Sequence, residues 1–86
     1  MSGDTVPIEA AAVWPDDAED VTEGVVANWF VREGGHVEEG ETVCEIQVEK
    51  VSVDVPAPAS GRVAEIRVRT NGQFSRGDAL GRIEPD

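Results

Sequence analysis

One lysine stands in a chain rich in carboxylates, and its chemistry is the most distinctive that the sequence offers. Lys50 is the only lysine among 86 residues, which include 18 Asp and Glu. Apolar and polar residues alternate before it over Cys44–Val48 and after it over Val51–Val55. This alternation predicts two half-buried strands, and joining them through Glu49-Lys50 makes a two-residue hairpin loop. Lys50 is therefore predicted to present one primary amine on a rigid tip, which suits covalent attachment.

The hairpin has a predicted register, because a slip of one residue would move its apolar side chains to the other face. Three apolar pairs then share one face: Val48 with Val51, Ile46 with Val53, and Cys44 with Val55. Cys44 is accordingly predicted to be a small core residue rather than a reactive thiol.

The other residues that could do chemistry are isolated. One cysteine and one histidine cannot build a metal site, and a single cysteine excludes an internal disulfide, so an intracellular setting is expected. His36 follows Gly34-Gly35 without a second histidine or a nucleophile nearby, and it is predicted to be a surface turn residue. The acidic segment Asp16–Glu23 lacks the spacing of a calcium loop and is predicted to be a solvated loop. No residue is predicted to be catalytic or to bind metal.

The charge of the chain limits its partners. A formal net charge of −11 argues against nucleic acid, whose phosphates require basic surfaces. Residues 1–54 contain 14 Asp and Glu against two basic residues, whereas residues 55–86 contain four against five arginines. This acidic half would attract a basic partner, although solubility is the simpler explanation of the total charge. No apolar run approaches the roughly 18 residues of a membrane span, so no membrane partner is predicted.

An internal repeat indicates how the hairpin is positioned. Eight of the 23 residues in 24–46 are identical to their counterparts in 61–83, at a constant offset of 37. A fixed offset is strong evidence of repetition, and two copies indicate a pseudo-two-fold fold rather than a solenoid. The Lys50 tip falls between the two copies.

Each copy is predicted to form a strand, a glycine turn, a short apolar segment, a second glycine turn and a strand. The predicted strands of the copies are Val25–Arg32, Thr42–Val48, Arg62–Arg69 and Ala79–Glu84, and a further strand spans about Ile8–Trp14. Pro56 and Pro58 end the strand after the hairpin. The prediction is an all-β, flattened barrel-sandwich hybrid of about seven to eight short strands. It forms one domain over residues 1–86, with an ordered core of about 7–84.

The registers also predict which side chains are buried. Phe30 is expected to face outward, because its neighbour Trp29 faces inward. The predicted core comprises Ile8, Trp29, Val31, Val37, Val43, Ile46, Val48, Val53, Val63, Ile66, Val68, Phe74, Leu80 and Ile83.

A set of motifs extends over roughly residues 8–84. The motif residues are Glu23-Gly24, Val26, Trp29, Val31, Glu33-Gly34, Val37, Gly40, Glu45-Ile46, Lys50, Pro56-Ala57-Pro58 and Ser60-Gly61-Arg62-Val63. In this pattern the sequence resembles a lipoyl domain, the swinging-arm module of the acyltransferase (E2) component of 2-oxoacid dehydrogenase complexes. The chain departs from the family pattern at the tip, with Gln47 in place of Glu, Glu49 in place of Asp and Val51 in place of Ala.

The resemblance implies that Lys50 carries lipoate in amide linkage, attached by a lipoate ligase or lipoyl transferase. The domain would be a non-catalytic carrier within a parent dihydrolipoamide acyltransferase. Gln47, Glu49 and Val51 are expected to be read at the tip, and Asp20 and Glu23 to be recognised beside it.

The partners that the resemblance implies are a thiamin-dependent 2-oxoacid decarboxylase (E1), an acyltransferase domain (E2) and dihydrolipoamide dehydrogenase (E3). The expected compartment is the prokaryotic cytoplasm or the mitochondrial matrix.

Two alternatives stay open. A biotinyl carrier domain is similar in fold and is also modified on a hairpin lysine, but its tip typically contains Met-Lys-Met. Glu49 and Val51 flank the lysine here, which favours lipoate. An unmodified hairpin module for protein contact would carry no adduct on Lys50.

Overall fold

The computed structural model describes residues 4–86, and they form eight strands in two four-stranded sheets. The strands are β1 (Val6–Glu9), β2 (Glu23–Trp29), β3 (His36–Val37), β4 (Thr42–Val48), β5 (Val51–Pro56), β6 (Gly61–Ile66), β7 (Gln73–Ser75) and β8 (Ala79–Pro85). The all-β prediction is confirmed, and the two sheets form a sandwich rather than a closed barrel. No helix within residues 4–86 combines the length and the apolar character needed to cross a membrane.

The order of the strands displays the repeat. One sheet has the order β1-β8-β6-β3 and the other β5-β4-β2-β7. An offset of 37 residues relates β2 to β6, β3 to β7 and β4 to β8. Each of these strands therefore has its counterpart at the same position in the other sheet. The remaining strands, β1 and β5, lie at equivalent edges of the two sheets.

A β-bulge recurs at equivalent places in the two halves. The pairing of β2 with β4 shifts between Val26 and Asn28, and the pairing of β6 with β8 shifts between Val63 and Glu65. The extra residue of a bulge reverses the inward and outward alternation beyond it. Val26 is therefore buried although Trp29, three residues later, also faces the core. Val26 is absent from the predicted core because alternation counted back from Trp29 would turn it outward.

The sandwich is filled mainly by aliphatic side chains. Trp29, Val31, Val53, Ile66 and Val68, predicted in the core, are only partly buried and pack against it. Phe30 faces outward as predicted, with 53% of its surface exposed. The buried residues are Ile8, Ala10, Trp14, Ala18, Val26, Val37, Val43, Cys44, Ile46, Val48, Val55, Ala57, Val63, Phe74, Leu80 and Ile83.

The predicted strand at about Ile8–Trp14 is wrong beyond Glu9. The pairing of β1 with β8 becomes irregular between Ile8 and Glu9, and the chain then forms a 3₁₀ turn over Ala10–Val13. This turn buries Ala10, and Trp14 follows it into the core.

The predicted strands Val25–Arg32 and Arg62–Arg69 are also too long, since β2 ends at Trp29 and β6 at Ile66. Phe30 and Arg67, just beyond those ends, each still donate one backbone hydrogen bond, to Val43 O and Leu80 O. The turns that follow, in which Gly35 N bonds Arg32 O and Gly72 N bonds Arg69 O, then take the chain out of the sheets.

The strand directions define two ends of the molecule. At the hairpin end lie the Glu49-Lys50 tip, the start of β2, β7, and the later part, residues 14–22, of the long connection between β1 and β2, which spans residues 10–22. At the far end lie the start of β6, which pairs with Pro85, and the short connection, residues 57–60, between β5 and β6. The two connections have equivalent places in the pseudo-symmetric fold but very different lengths.

Candidate functional site at the hairpin end

The β4–β5 hairpin has the register that the sequence predicts. Val48 pairs with Val51, Ile46 with Val53 and Cys44 with Val55. Burial declines towards the tip on the β5 side, where Val53 is half-buried and Val51 is 42% exposed. The hairpin therefore has a firmly packed base and a tip that stands out of the core.

The loop that carries Lys50 is as short as a hairpin allows. Glu49 has a φ of 58°, in the left-handed region. The favoured two-residue hairpin turns have positive φ at one or both central residues, and this conformation costs a residue with a Cβ about 1 kcal/mol or more. The tip therefore adopts this turn without a glycine, and it presents Lys50 at the end of a hairpin that is paired up to Val48 and Val51.

The Lys50 side chain is exposed. Within residues 4–86 it makes none of the side-chain hydrogen bonds or ion pairs found in the structure. A primary amine without a hydrogen-bond or ion-pair partner among residues 4–86 is open to attack an activated carboxyl group and to form an amide. The tip thus fits a group that is attached through a carboxyl carbon.

The predicted recognition residues lie at the hairpin end, and their roles stay predictions. Gln47 is exposed and pairs with Ser52 on one side and with Val25 of β2 on the other. Since Val25 lies beside Gln47, the antiparallel register puts Glu23, two residues earlier, beside the end of β4. Asp20 is exposed in the long connection, three residues before β2 begins.

A glycine lets the start of β2 pack closely beside this hairpin. A Cβ on Gly24 would lie 2.8 Å from Phe74 Cζ and 3.1 Å from Gln47 O. The aromatic ring of Phe74, on β7, therefore packs directly against the backbone of β2 next to β4. This close packing joins β7 and the long connection to the strand that carries the tip.

Trp14 and Arg76 also lie at the hairpin end, and neither is among the site residues predicted from the sequence. Trp14 is buried, meets Phe74 edge-on at 6.2 Å between ring centroids, and donates its Nε1 hydrogen bond to Ala18 O at 2.9 Å. Arg76 lies over the Trp14 ring at 5.6 Å from Cζ to the centroid. Trp14 was assigned to a strand, and no sequence signal marks Arg76, whose counterpart in the repeat is Glu39.

These contacts correct the prediction of a solvated loop over Asp16–Glu23. Asp16–Ala18 forms a 3₁₀ turn, Ala18 is buried, and β2 begins at Glu23. The buried side chains of Trp14 and Ala18 hold the segment against the core while its carboxylates face outward. No three His, Cys, Asp or Glu side chains within residues 4–86 are grouped so that they could hold a metal ion.

Cys44 and His36 lie outside this site. The Cys44 side chain is fully buried, as predicted, and burial raises the pKa of its thiol to about 12. His36 is exposed, as predicted, but it lies in β3 rather than in a turn. Its Nε2 is 3.2 Å from Asp86 Oδ2 and its Nδ1 is 3.5 Å from Glu38 Oε2, at the far end.

Comparison with protein families gives one match to nearly the whole chain. The biotin/lipoyl family model, described as "Biotin-requiring enzyme", matches residues 12–83. Among curated proteins, the dihydrolipoyllysine-residue acetyltransferase component of the pyruvate dehydrogenase complex of Staphylococcus aureus is 37% identical over 73 residues. The corresponding protein of Staphylococcus epidermidis is 36% identical over 73 residues. Each match covers 84% of this chain but only 17% of the relative.

Solved structures show the same fold. The lipoyl domain of the 2-oxoglutarate dehydrogenase complex of Azotobacter vinelandii has a TM-score of 0.73 and 29% identity, covering 94% of this chain and 99% of that domain. Urea carboxylase of Kluyveromyces lactis has a TM-score of 0.66 and 31% identity, covering 83% of this chain and 6% of the carboxylase. The similarity therefore extends to a lipoyl domain along its whole length and to a small part of a carboxylase.

Proposed function

This chain belongs to the biotin/lipoyl family and is a lipoyl-type carrier domain, and from that premise we propose that Lys50 is its lipoyl attachment site. The observation that carries the proposal is the exposed Lys50 amine on a two-residue loop, without a side-chain partner among residues 4–86. The carrier would be covalently modified there and would contribute no catalytic side chain of its own.

Attachment requires an amide bond between the lipoate carboxyl carbon and Lys50 Nζ. A ligase would supply the activated acid and accept the protons that the amine loses, while the activating group leaves the acyl carbon. A lysine ammonium in water is a poor nucleophile. The task of this chain is therefore presentation, which the strained turn at Glu49 and the packed base of the hairpin provide.

When bound, lipoate supplies a dithiolane that accepts an acyl group together with two electrons and passes them on. The chain contributes the mount and the surface around it. We propose that Gln47, Glu49 and Val51 are read by the ligase, and that Asp20 and Glu23 are read by the enzyme that acts on the arm. All five are exposed, and the register places Glu23 beside the hairpin.

The assignment to a complex is also a proposal, because the chain spans only 17% of the curated relatives' length. We propose that it serves an acyltransferase (E2) of a 2-oxoacid dehydrogenase complex, between the decarboxylase (E1), the acyltransferase domain and dihydrolipoamide dehydrogenase (E3). The prokaryotic cytoplasm or the mitochondrial matrix is the proposed setting, consistent with one buried, unpaired cysteine.

Intact mass after coexpression with a lipoate ligase, and separately with a biotin ligase, tests the attachment. The proposal expects a lipoyl-sized increase with the first enzyme, absent in Lys50→Arg, and no increase with the second. No increase with either enzyme would instead support the unmodified hairpin module.

A biotinyl carrier is the second candidate, favoured by the 31% identity to urea carboxylase. Its specific test is the double variant Glu49→Met/Val51→Met, which recreates the Met-Lys-Met tip typical of biotinyl domains. A lipoyl carrier should lose lipoylation and gain biotinylation in this variant. Biotinylation of the wild-type chain at an equal rate would overturn the preference for lipoate.

A further inference from the structure

The long connection is an asymmetric addition to an otherwise repeated fold. Thirteen residues, 10–22, join β1 to β2, whereas four residues, 57–60, join β5 to β6 at the equivalent place. The later part of the additional chain, residues 14–22, lies against Phe74 and Arg76 at the end of the molecule that carries Lys50. A crossing between two sheets needs only the shorter length, so the extra residues are not required by the sandwich.

One arginine makes three contacts with this connection. Arg76 lies over the Trp14 ring at 5.6 Å, its Nη1 donates to Glu19 O at 3.3 Å, and its backbone N donates to Thr22 O at 2.7 Å. These contacts reach the start, the middle and the end of residues 14–22. Because Arg76 directly follows β7, they attach the connection to the sheet that contains the hairpin.

The connection also has bonds of its own that Arg76 would stabilise. Ala18 N donates to Pro15 O at 3.1 Å, and Val21 N donates to Ala18 O at 3.0 Å. Trp14 Nε1 closes the same turn through Ala18 O. The arginine packs over the indole that makes this last bond, so its loss would loosen the turn without removing any buried side chain.

We propose that Arg76 is a positioning residue, which fixes the long connection beside the Lys50 tip in the shape that the acylating enzyme reads. The inference rests on the proposed lipoyl function. The exposed acids of the connection indicate a basic partner surface, and they are Asp16, Asp17, Glu19 and Asp20. Arg76 itself would touch neither the lipoyl group nor the reacting atoms.

The test compares Arg76→Ala and Arg76→Lys with Arg67→Ala, a control that removes one exposed arginine without a side-chain hydrogen bond among the described residues. Each variant is lipoylated, its lipoylation rate is measured by intact mass, and its acylation is followed with thiamin-dependent decarboxylases for pyruvate, 2-oxoglutarate and branched-chain 2-oxoacids. The enzyme with the highest kcat/KM for the wild-type domain is then used for the comparison.

Arg76→Ala is expected to raise KM for the domain about threefold to tenfold, with kcat and lipoylation rate unchanged. Arg76→Lys should recover part of the loss because it keeps a cation over Trp14. In hydrogen exchange of the unmodified chain, the Val21 and Ala18 amides should exchange faster in Arg76→Ala, while the β4 and β5 amides stay as in the wild type.

Two results would overturn the role of Arg76: an unchanged KM in Arg76→Ala, or an equal rise in Arg67→Ala, which would indicate net charge alone. Failure of all three decarboxylases to acylate the lipoylated wild-type domain would instead overturn the proposed function.

Discussion

The hairpin end and the far end are related by the internal repeat, yet they differ in how tightly the backbone is packed. At the hairpin end, the space above Gly24 is filled by the Phe74 side chain, and the tip itself stands out of the core. At the far end, the equivalent glycine, Gly61, lies against the backbone of Glu84 and Pro85. The repeated fold therefore has closely packed backbones at the far end and an exposed hairpin tip at the other end.

The largest expected effect tests this difference in packing. A Cβ on Gly61 would lie 2.1 Å from Glu84 O, so Gly61→Ala must push apart two backbones and should cost about 3 kcal/mol of unfolding free energy. Gly24→Ala is the matched variant, and it should cost about 1–2 kcal/mol because the Phe74 ring can shift. Urea unfolding measures both, and equal costs would contradict the contrast between the ends.

A second prediction concerns a hydrogen bond that connects the two copies of the repeat. Trp29 Nε1 donates to Val68 O at 2.7 Å, whereas the counterpart of Trp29 in the repeat is Ile66, which has no donor. Trp29→Phe keeps an aromatic side chain but removes this bond and part of the ring volume, with an expected loss of about 1–2 kcal/mol or more. Ile66→Val is the control on the other side and should cost about 1 kcal/mol or less, through a lost methylene alone. A loss in Trp29→Phe no larger than the control would show that the bond is not stabilising.

Much of this framework could be predicted from the sequence, because the repeat and the alternation carry the information directly. The hairpin pairs Val48–Val51, Ile46–Val53 and Cys44–Val55 are correct in register. Alternation fails at the bulge in the first half, where one additional residue puts Val26 in the core although it was not predicted there, whereas its counterpart Val63 was correctly predicted to be buried. Bulges depend on pairing between strands, so a single strand's pattern does not reveal them.

The residues around the tip were harder to predict than the tip itself. Lys50 is marked by being the only lysine, and the turn by its length. Trp14 and Arg76 are 62 positions apart and meet only because β7 and the long connection lie at the same end. Contacts between a loop and a distant turn have no period and no motif, and only the folded chain shows them.

A third prediction uses the burial of Cys44, whose counterpart in the other half is Gly81. Burial raises the pKa of the Cys44 thiol from its ordinary value of 9.0 to about 12. The unfolded chain therefore releases this proton at lower pH than the folded one, and the stability should fall between about pH 9 and 12. The slope should approach about 1 kcal/mol per pH unit.

Urea unfolding at pH 8, 9, 10 and 10.5 measures this slope, with Cys44→Ala as the control. The chain has no tyrosine and one lysine, so few other groups titrate in this range. Cys44→Ala should be less stable at pH 8 but should lose less stability as the pH rises. Parallel curves for the two proteins would show that the thiol does not contribute.

A fourth prediction concerns the backbone of the tip. Glu49→Gly should raise the unfolding free energy by about 0.5–1 kcal/mol, because glycine adopts the left-handed φ of 58° without strain. Lys50→Gly is the matched variant in the same loop, and it should lower stability because its native φ is not positive. Thermal unfolding distinguishes them, and destabilisation by Glu49→Gly would mean that the Glu49 side chain holds the turn.

The smallest effect is expected at the residue on which the function depends. Lys50→Arg should leave the unfolding free energy within about 0.5 kcal/mol of the wild type, since the side chain is exposed and unpartnered among the described residues. The same substitution should abolish lipoylation. A loss above 1 kcal/mol in urea unfolding would contradict this separation of stability from function. If the separation holds, a modifying enzyme can bind the tip and change its charge without any cost to the sandwich beneath.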